Sequence, residues 1–117
     1  GPSSIFFFLL ASGFNGQQFT FHGYLPVKRE QREKSLREIE KVAQSTGYTQ
    51  IFMETPYRNE QLLESALKVL PADCKLTIAA QLTQAGEFVR TLSVREWKTE
   101  KRKDLHKIPA VFCLGYD

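Results

Sequence analysis

Between Lys28 and Thr46 the apolar residues Leu36, Ile39, Val42 and Ala43 recur three and four positions apart, with charged residues between them. That spacing lays them along one stripe and predicts an amphipathic helix, ended by Gly47. Leu62, Leu63, Ala66, Leu67 and Leu70 form a second stripe and predict another helix. Thr55-Pro56 is expected to start it, with Pro56 at the first helical position, and Pro71 to stop it. Ser93-Val94-Arg95-Glu96 has the spacing of a capping box and predicts a short helix that carries Trp97 onto the core. Strand-like runs lie between these stretches: Phe19–Tyr24, Gln50–Met53, Lys75–Ala80, Glu87–Leu92 and Pro109–Leu114, with Ala85-Gly86 as the turn into the fourth. Ile5–Ser12 reads as a first helix ended by Gly13, with Ser3 or Ser4 as its cap if Gly1-Pro2-Ser3-Ser4 is native and not a cloning remnant. The order helix, β, α, β, α, β, β, short helix, β predicts a mixed five-stranded sheet flanked by helices, of α/β or α+β type.

Composition adds bounds. With 117 residues, 42% hydrophobic and 25% charged, the chain fits one globular domain with a single core. Its longest apolar run, Ile5 to Ala11, falls short of the roughly 20 residues a bilayer needs, and no basic stretch precedes it as in a signal peptide. Cys74 and Cys113 both sit in apolar strand-like runs. Two cysteines make no disulfide scaffold, and without a neighbouring histidine they make no zinc site, so unpaired thiols and a cytoplasmic setting are expected. The formal net charge of +3 is mild. Basic residues do cluster at 28–41, six against four acidic, and at 95–107, six against three. The first cluster reads as a solvated helix face with i,i+4 ion pairs, the second as an exposed loop able to meet an anion.

No self-contained catalytic motif is present: no phosphate-binding glycine loop, no metal pair, no nucleophile and base at informative spacing. His22 lies in an aromatic strand and His106 in a basic loop, and both read as structural or solvated. Three strand ends carry unusual residues instead: Met53-Glu54-Thr55-Pro56-Tyr57-Arg58, Ala80-Gln81-Leu82-Thr83 and Ile108-Pro109-Ala110. Ligands of open sheets collect where strands end.

Those segments, in that order, carry a resemblance. Gly1-Pro2-Ser3-Ser4 with Ala11-Ser12-Gly13-Phe14, then Phe21-His22-Gly23-Tyr24-Leu25-Pro26 before a basic helix, then Ile51-Phe52-Met53-Glu54-Thr55-Pro56-Tyr57-Arg58, Ala80-Gln81-Leu82-Thr83 with Glu87, and Ile108-Pro109-Ala110 are colinear over the whole chain. Together they resemble the C-terminal domain of the tetrapyrrole methylase class of S-adenosylmethionine (SAM) methyltransferases. Within that class they are most similar to the branch that methylates a 16S ribosomal RNA ribose 2′-hydroxyl. The pattern departs where Gln81 replaces a glutamate, Gln84 a lysine, and Thr91-Leu92 the usual Arg-Gly.

The resemblance implies that residues 1–117 are the C-terminal half of a two-domain enzyme whose N-terminal half carries the glycine-rich SAM loop. It implies SAM contacts from Ser3, Ser4, Met53, Ile78, Ala79, Pro109 and Ala110, and substrate contacts from Glu54, Arg58 and Glu87. It names no catalytic base and no metal. RNA, the enzyme's own N-terminal domain and a second copy in a homodimer are the implied partners. A tetrapyrrole methylase acting on a small molecule, and a non-catalytic RNA-binding module, are the alternative readings.

Overall fold

The computed structural model describes residues 18–82, 86–101 and 105–116. The strands are β1 (Phe19–Tyr24), β2 (Thr49–Glu54), β3 (Lys75–Leu82), β4 (Gly86–Ser93) and β5 (Ala110–Gly115). The helices are α1 (Arg29–Thr46), α2 (Asn59–Val69) and α3 (Val94–Thr99). One mixed sheet runs in the order β1-β2-β5-β3-β4. β1 and β2 are parallel, with α1 crossing between them, and the other three pairings are antiparallel. The expected first helix, with Ser3 and Ser4, lies outside the described residues.

The helices bury their stripes on one face of this sheet. Leu36, Ile39 and Ala43 of α1, Leu62, Leu63, Ala66 and Leu67 of α2, and Val94 and Trp97 of α3 share a core with Phe52, Leu76, Ile78, Phe112 and Leu114. Phe52 and Phe112, opposite each other in the β2–β5 ladder, stack with centroids 5.8 Å apart. Alternation along the strands sends Ile51, Val111 and Cys113 to the other face, where they form a smaller cluster. The capping box forms as expected: Ser93 Oγ accepts from the Glu96 N–H, and Glu96 Oε1 accepts from the Ser93 N–H. Trp97 is fully buried, and its indole N–H donates to the carbonyl of Leu76 at 2.7 Å.

Four expectations need correction. The second helix begins at Asn59, not Pro56, because the Arg58 N–H bonds back to the Thr55 carbonyl and closes 55–58 as a turn. Val42 is exposed, and Arg32, Glu33 and Glu40 are buried, so the charged side of α1 is not simply a solvated face. In the basic stretch after α3, Leu105 is buried in the core and is not loop surface. Cys74 precedes its strand, although its side chain is buried. Gly23, at φ 68°, marks a bulge: three residues, Phe21 to Tyr24, advance against two, Ile51 to Met53.

Candidate functional site

Two rows of paired residues close one end of the sheet. Tyr24, Met53, Val111, Ala79 and Val89 form a row that crosses all five strands. Glu54, Ala110, Ala80 and Phe88 form the next. The turn after β2 and the lead-in to β5 therefore share this end, together with the end of β3 and the start of β4. The Gln81–Glu87 backbone pair lies one step further out.

Within this end the expected cofactor residues divide by face. Met53, half-buried, and Ala79 point away from the helices, on either side of Val111. Ile78 and Ala110 point toward the helices, and Ile78 is core. Because β3 is paired on both sides, the backbone groups of Ile78 and Ala79 are committed to the ladder. Ala79 is itself buried, so neither its methyl nor free N–H or C=O groups lie open to a ligand in this structure. Pro109 is exposed just before β5.

Glu54 is buried, and its Oε1 accepts from its neighbour's N–H (Thr55, 2.7 Å) and from Arg58 Nε at 3.3 Å. Arg58 itself is 36% exposed on its side chain. Glu54 and Arg58 thus form an ion pair, with one partner inside and one at the surface. Two residues that the sequence reading did not single out complete the end. Asn59, fully buried, donates from Nδ2 to the carbonyl of Ile108. Glu60 Oε1 accepts from the Leu105 N–H at 2.5 Å, and the Lys107 N–H donates to the Pro56 carbonyl at 3.0 Å. The 54–60 segment thereby clamps the 105–109 segment, and Tyr57 meets His106 edge to face. His22, by contrast, bonds Gln50 at 2.7 Å, a structural contact.

Two buried acceptors at this end, Glu54 Oε2 and Asn59 Oδ1, receive no hydrogen bond among the described residues. Buried acceptors without donors are costly. The half-buried Met53 thioether suits an aromatic ring. Among the described residues no cluster of metal ligands occurs. Arg58→Ala is expected to cost about 1–3 kcal/mol, toward the low end because the guanidinium is half in solvent. Urea unfolding of the variant measures it. A cost near zero would mean that Thr55 alone satisfies Glu54.

Three relatives carry the name ribosomal RNA small subunit methyltransferase I. That of Vibrio cholerae is 34% identical over 96 residues, covering 82% of this chain and 32% of its own length. That of Mesorhizobium japonicum is 34% identical over 116 residues, covering 98% and 38%. That of Thermotoga maritima is 32% identical over 113 residues, covering 95% and 48%. The chain is related to the ribosomal RNA small subunit methyltransferase I family. It spans between about a third and a half of the length of these family members. No protein-family model matches it. Among solved structures, the methyltransferase CobJ has the same fold, with a TM-score of 0.53 at 14% identity, covering 92% of this chain and 45% of that one. The mixed five-stranded α/β architecture expected of the class is the one observed. Among the described residues no helix is long and apolar enough to cross a membrane.

Proposed function

We propose that this chain is the C-terminal, cofactor- and substrate-binding part of a SAM-dependent methyltransferase that acts on a ribose 2′-hydroxyl of ribosomal RNA. The observation that carries this reading is the meeting of Met53, Glu54, Ala79 and Ala110 at one sheet end, beside two unsatisfied buried acceptors. The names of its relatives support it. When bound, SAM supplies a methyl group already activated on a sulfonium. The protein's task is therefore mainly alignment of donor and acceptor.

In this reading half-buried Met53 gives the cofactor an apolar contact at the sheet end, and the small side chains of Ala79 and Ala110 shape the strand ends on the sheet's two opposite faces. Asn59 and Glu54, buried at the same end, hold the 105–109 lead-in and Arg58 in place. Arg58 pairs with Glu54 and reaches the surface, where a phosphate of the acceptor can meet it. Ser3, Ser4, Pro109 and Glu87 remain part of the proposed site. No residue of this chain is assigned as the group that removes the hydroxyl proton. That N-terminal domain and a second copy are the proposed protein partners, and the cytoplasm is the proposed location.

The test is methyl transfer from labelled SAM to small-subunit ribosomal RNA by the complete polypeptide that carries this chain. Label in ribose 2′-O-methyl is expected. Residues 1–117 alone should transfer none and bind SAM weakly, because half of the adenosine pocket lies in the other domain. Tight SAM binding by residues 1–117 in calorimetry, or label found only in a small molecule, would overturn the reading.

A further inference from the structure

We propose that the cleft between α1 and α2 is a phosphate subsite for the RNA backbone, an inference that rests on the RNA-methyltransferase reading. The cleft, of about 290 Å³, is lined by Arg29, Arg32, Ser65 and Lys68, with Glu33 and Glu64 also at its walls. Arg32 is the unusual member. Only 5% of it is exposed, and its two hydrogen bonds go to neutral acceptors, Ser65 Oγ at 2.9 Å and the Val27 carbonyl at 2.8 Å. Among the described residues no carboxylate lies within ion-pair distance of it. Glu33, its neighbour in sequence, pairs instead with Lys68 at 3.4 Å.

A buried guanidinium without a counter-ion is unfavourable, and the usual compensation is an anion held by its fork of donors. Arg32 has five N–H bonds, of which two are accepted among the described residues. Its fixed orientation, held by Ser65 and Val27, is that of a residue set to receive a bidentate partner. A second feature points the same way. The 18-residue α1 starts beside this cleft, and Lys28 at its N-cap gives no side-chain cap. The N–H groups of the first turn therefore face outward with the positive end of the helix dipole. A second, open hollow shares Arg29, Glu33 and Lys68 with it and is lined also by Lys28, Glu30 and Gln31.

Position links the cleft to the sheet end. β1 leads into α1 and β2 into α2, and Tyr24 and Met53, near the ends of those strands, are paired. Both helices thus begin at the end of the sheet where Met53, Glu54 and Arg58 lie. A strand of RNA whose reactive ribose sits at that end has phosphates on either side of it. The cleft is placed to hold one of them.

The experiment measures binding of a short fluorescein-labelled single-stranded RNA by fluorescence anisotropy, over a range of potassium chloride. Arg32→Gln should raise Kd several-fold to about tenfold and flatten the dependence of log Kd on log salt by about 0.7 for one lost phosphate contact. Because Arg32 is buried, Arg29→Gln with Lys68→Gln gives a second, surface test. This double variant should keep the wild-type melting temperature and bind RNA at least a few-fold more weakly. Unchanged Kd and salt slope in the folded double variant would sink the subsite. Methyl transfer by the complete enzyme is scored separately. Its retention beside unchanged RNA binding removes the cleft and leaves the enzyme reading, whereas its absence in the wild type removes the reading itself.

Discussion

Trp97→Ala is expected to be the most damaging single substitution in the described chain. Trp97 is the one tryptophan of the sequence, has no exposed surface, and joins α3 to the core under β3. Truncating a buried tryptophan removes its transfer free energy and leaves a cavity that the surroundings fill only in part, about 3–5 kcal/mol together. The Leu76 carbonyl also loses the indole N–H that it accepts. A domain of this size has a total stability of about 5–15 kcal/mol, so the variant should lose at least about a fifth of it, and its melting temperature should fall by roughly 10 °C or more. Far-UV circular dichroism follows the transition, since the variant lacks the fluorophore. A loss under about 1 kcal/mol would mean that α3 does not depend on this anchor.

The second large effect is a loss of stability in alkali. Burial pushes the Cys74 thiol up to about 11 and the Cys113 thiol up to about 12, from an ordinary 9.0. Burial and the hydrogen bond from its hydroxyl to Glu40 Oε2 push Tyr116 upward as well. Above about pH 9 the unfolded chain releases thiol protons that the folded chain still holds, so stability falls as pH rises, until the folded thiols ionise in turn. Each thiol contributes about 1.4 kcal/mol per pH unit inside that window, which amounts to several kcal/mol by pH 11 for the pair. Urea midpoints measured from pH 8 to 11 should drop steeply for the wild type and less for a Cys74→Ala, Cys113→Ala double variant. Parallel curves would refute the assignment. At neutral pH neither free thiol should react with an aromatic disulfide reagent until the protein unfolds, as both are buried.

What the sequence disclosed follows from the reach of its interactions. The capping box of α3 was legible because Ser93 and Glu96 are three residues apart and satisfy each other locally. The stripes of α1 and α2 were legible for the same reason, since periodicity reports a face without needing to know its partner. Asn59, Glu60 and Arg32 were not, because their partners Ile108, Leu105 and Ser65 lie 49, 45 and 33 residues away. A polar residue fixed by so distant a contact looks in sequence like any surface residue. Pro56 misled for a related reason: its place at a helix start is common, but here the Glu54 carboxylate holds the Thr55 N–H and a turn intervenes. That three motif segments met at one sheet end depended on strand order, which no local pattern encodes.

The strand latest in the sequence, β5, lies between β2 and β3. Residues before it form two separate ribbons, β1 with β2 and β3 with β4, linked by the chain and by the helices packed on one face. Neither ribbon pairs with the other, so each carries an open hydrogen-bonding edge until Ala110–Gly115 inserts and bonds to both. A ribosome making this chain therefore delivers the keystone near the end of this segment, after every element it locks. Any premature stop before Ala110 leaves two sticky half-sheets rather than a smaller stable domain. Late closure of this kind favours chaperone capture of the nascent chain and makes nonsense products targets for degradation, not partial function.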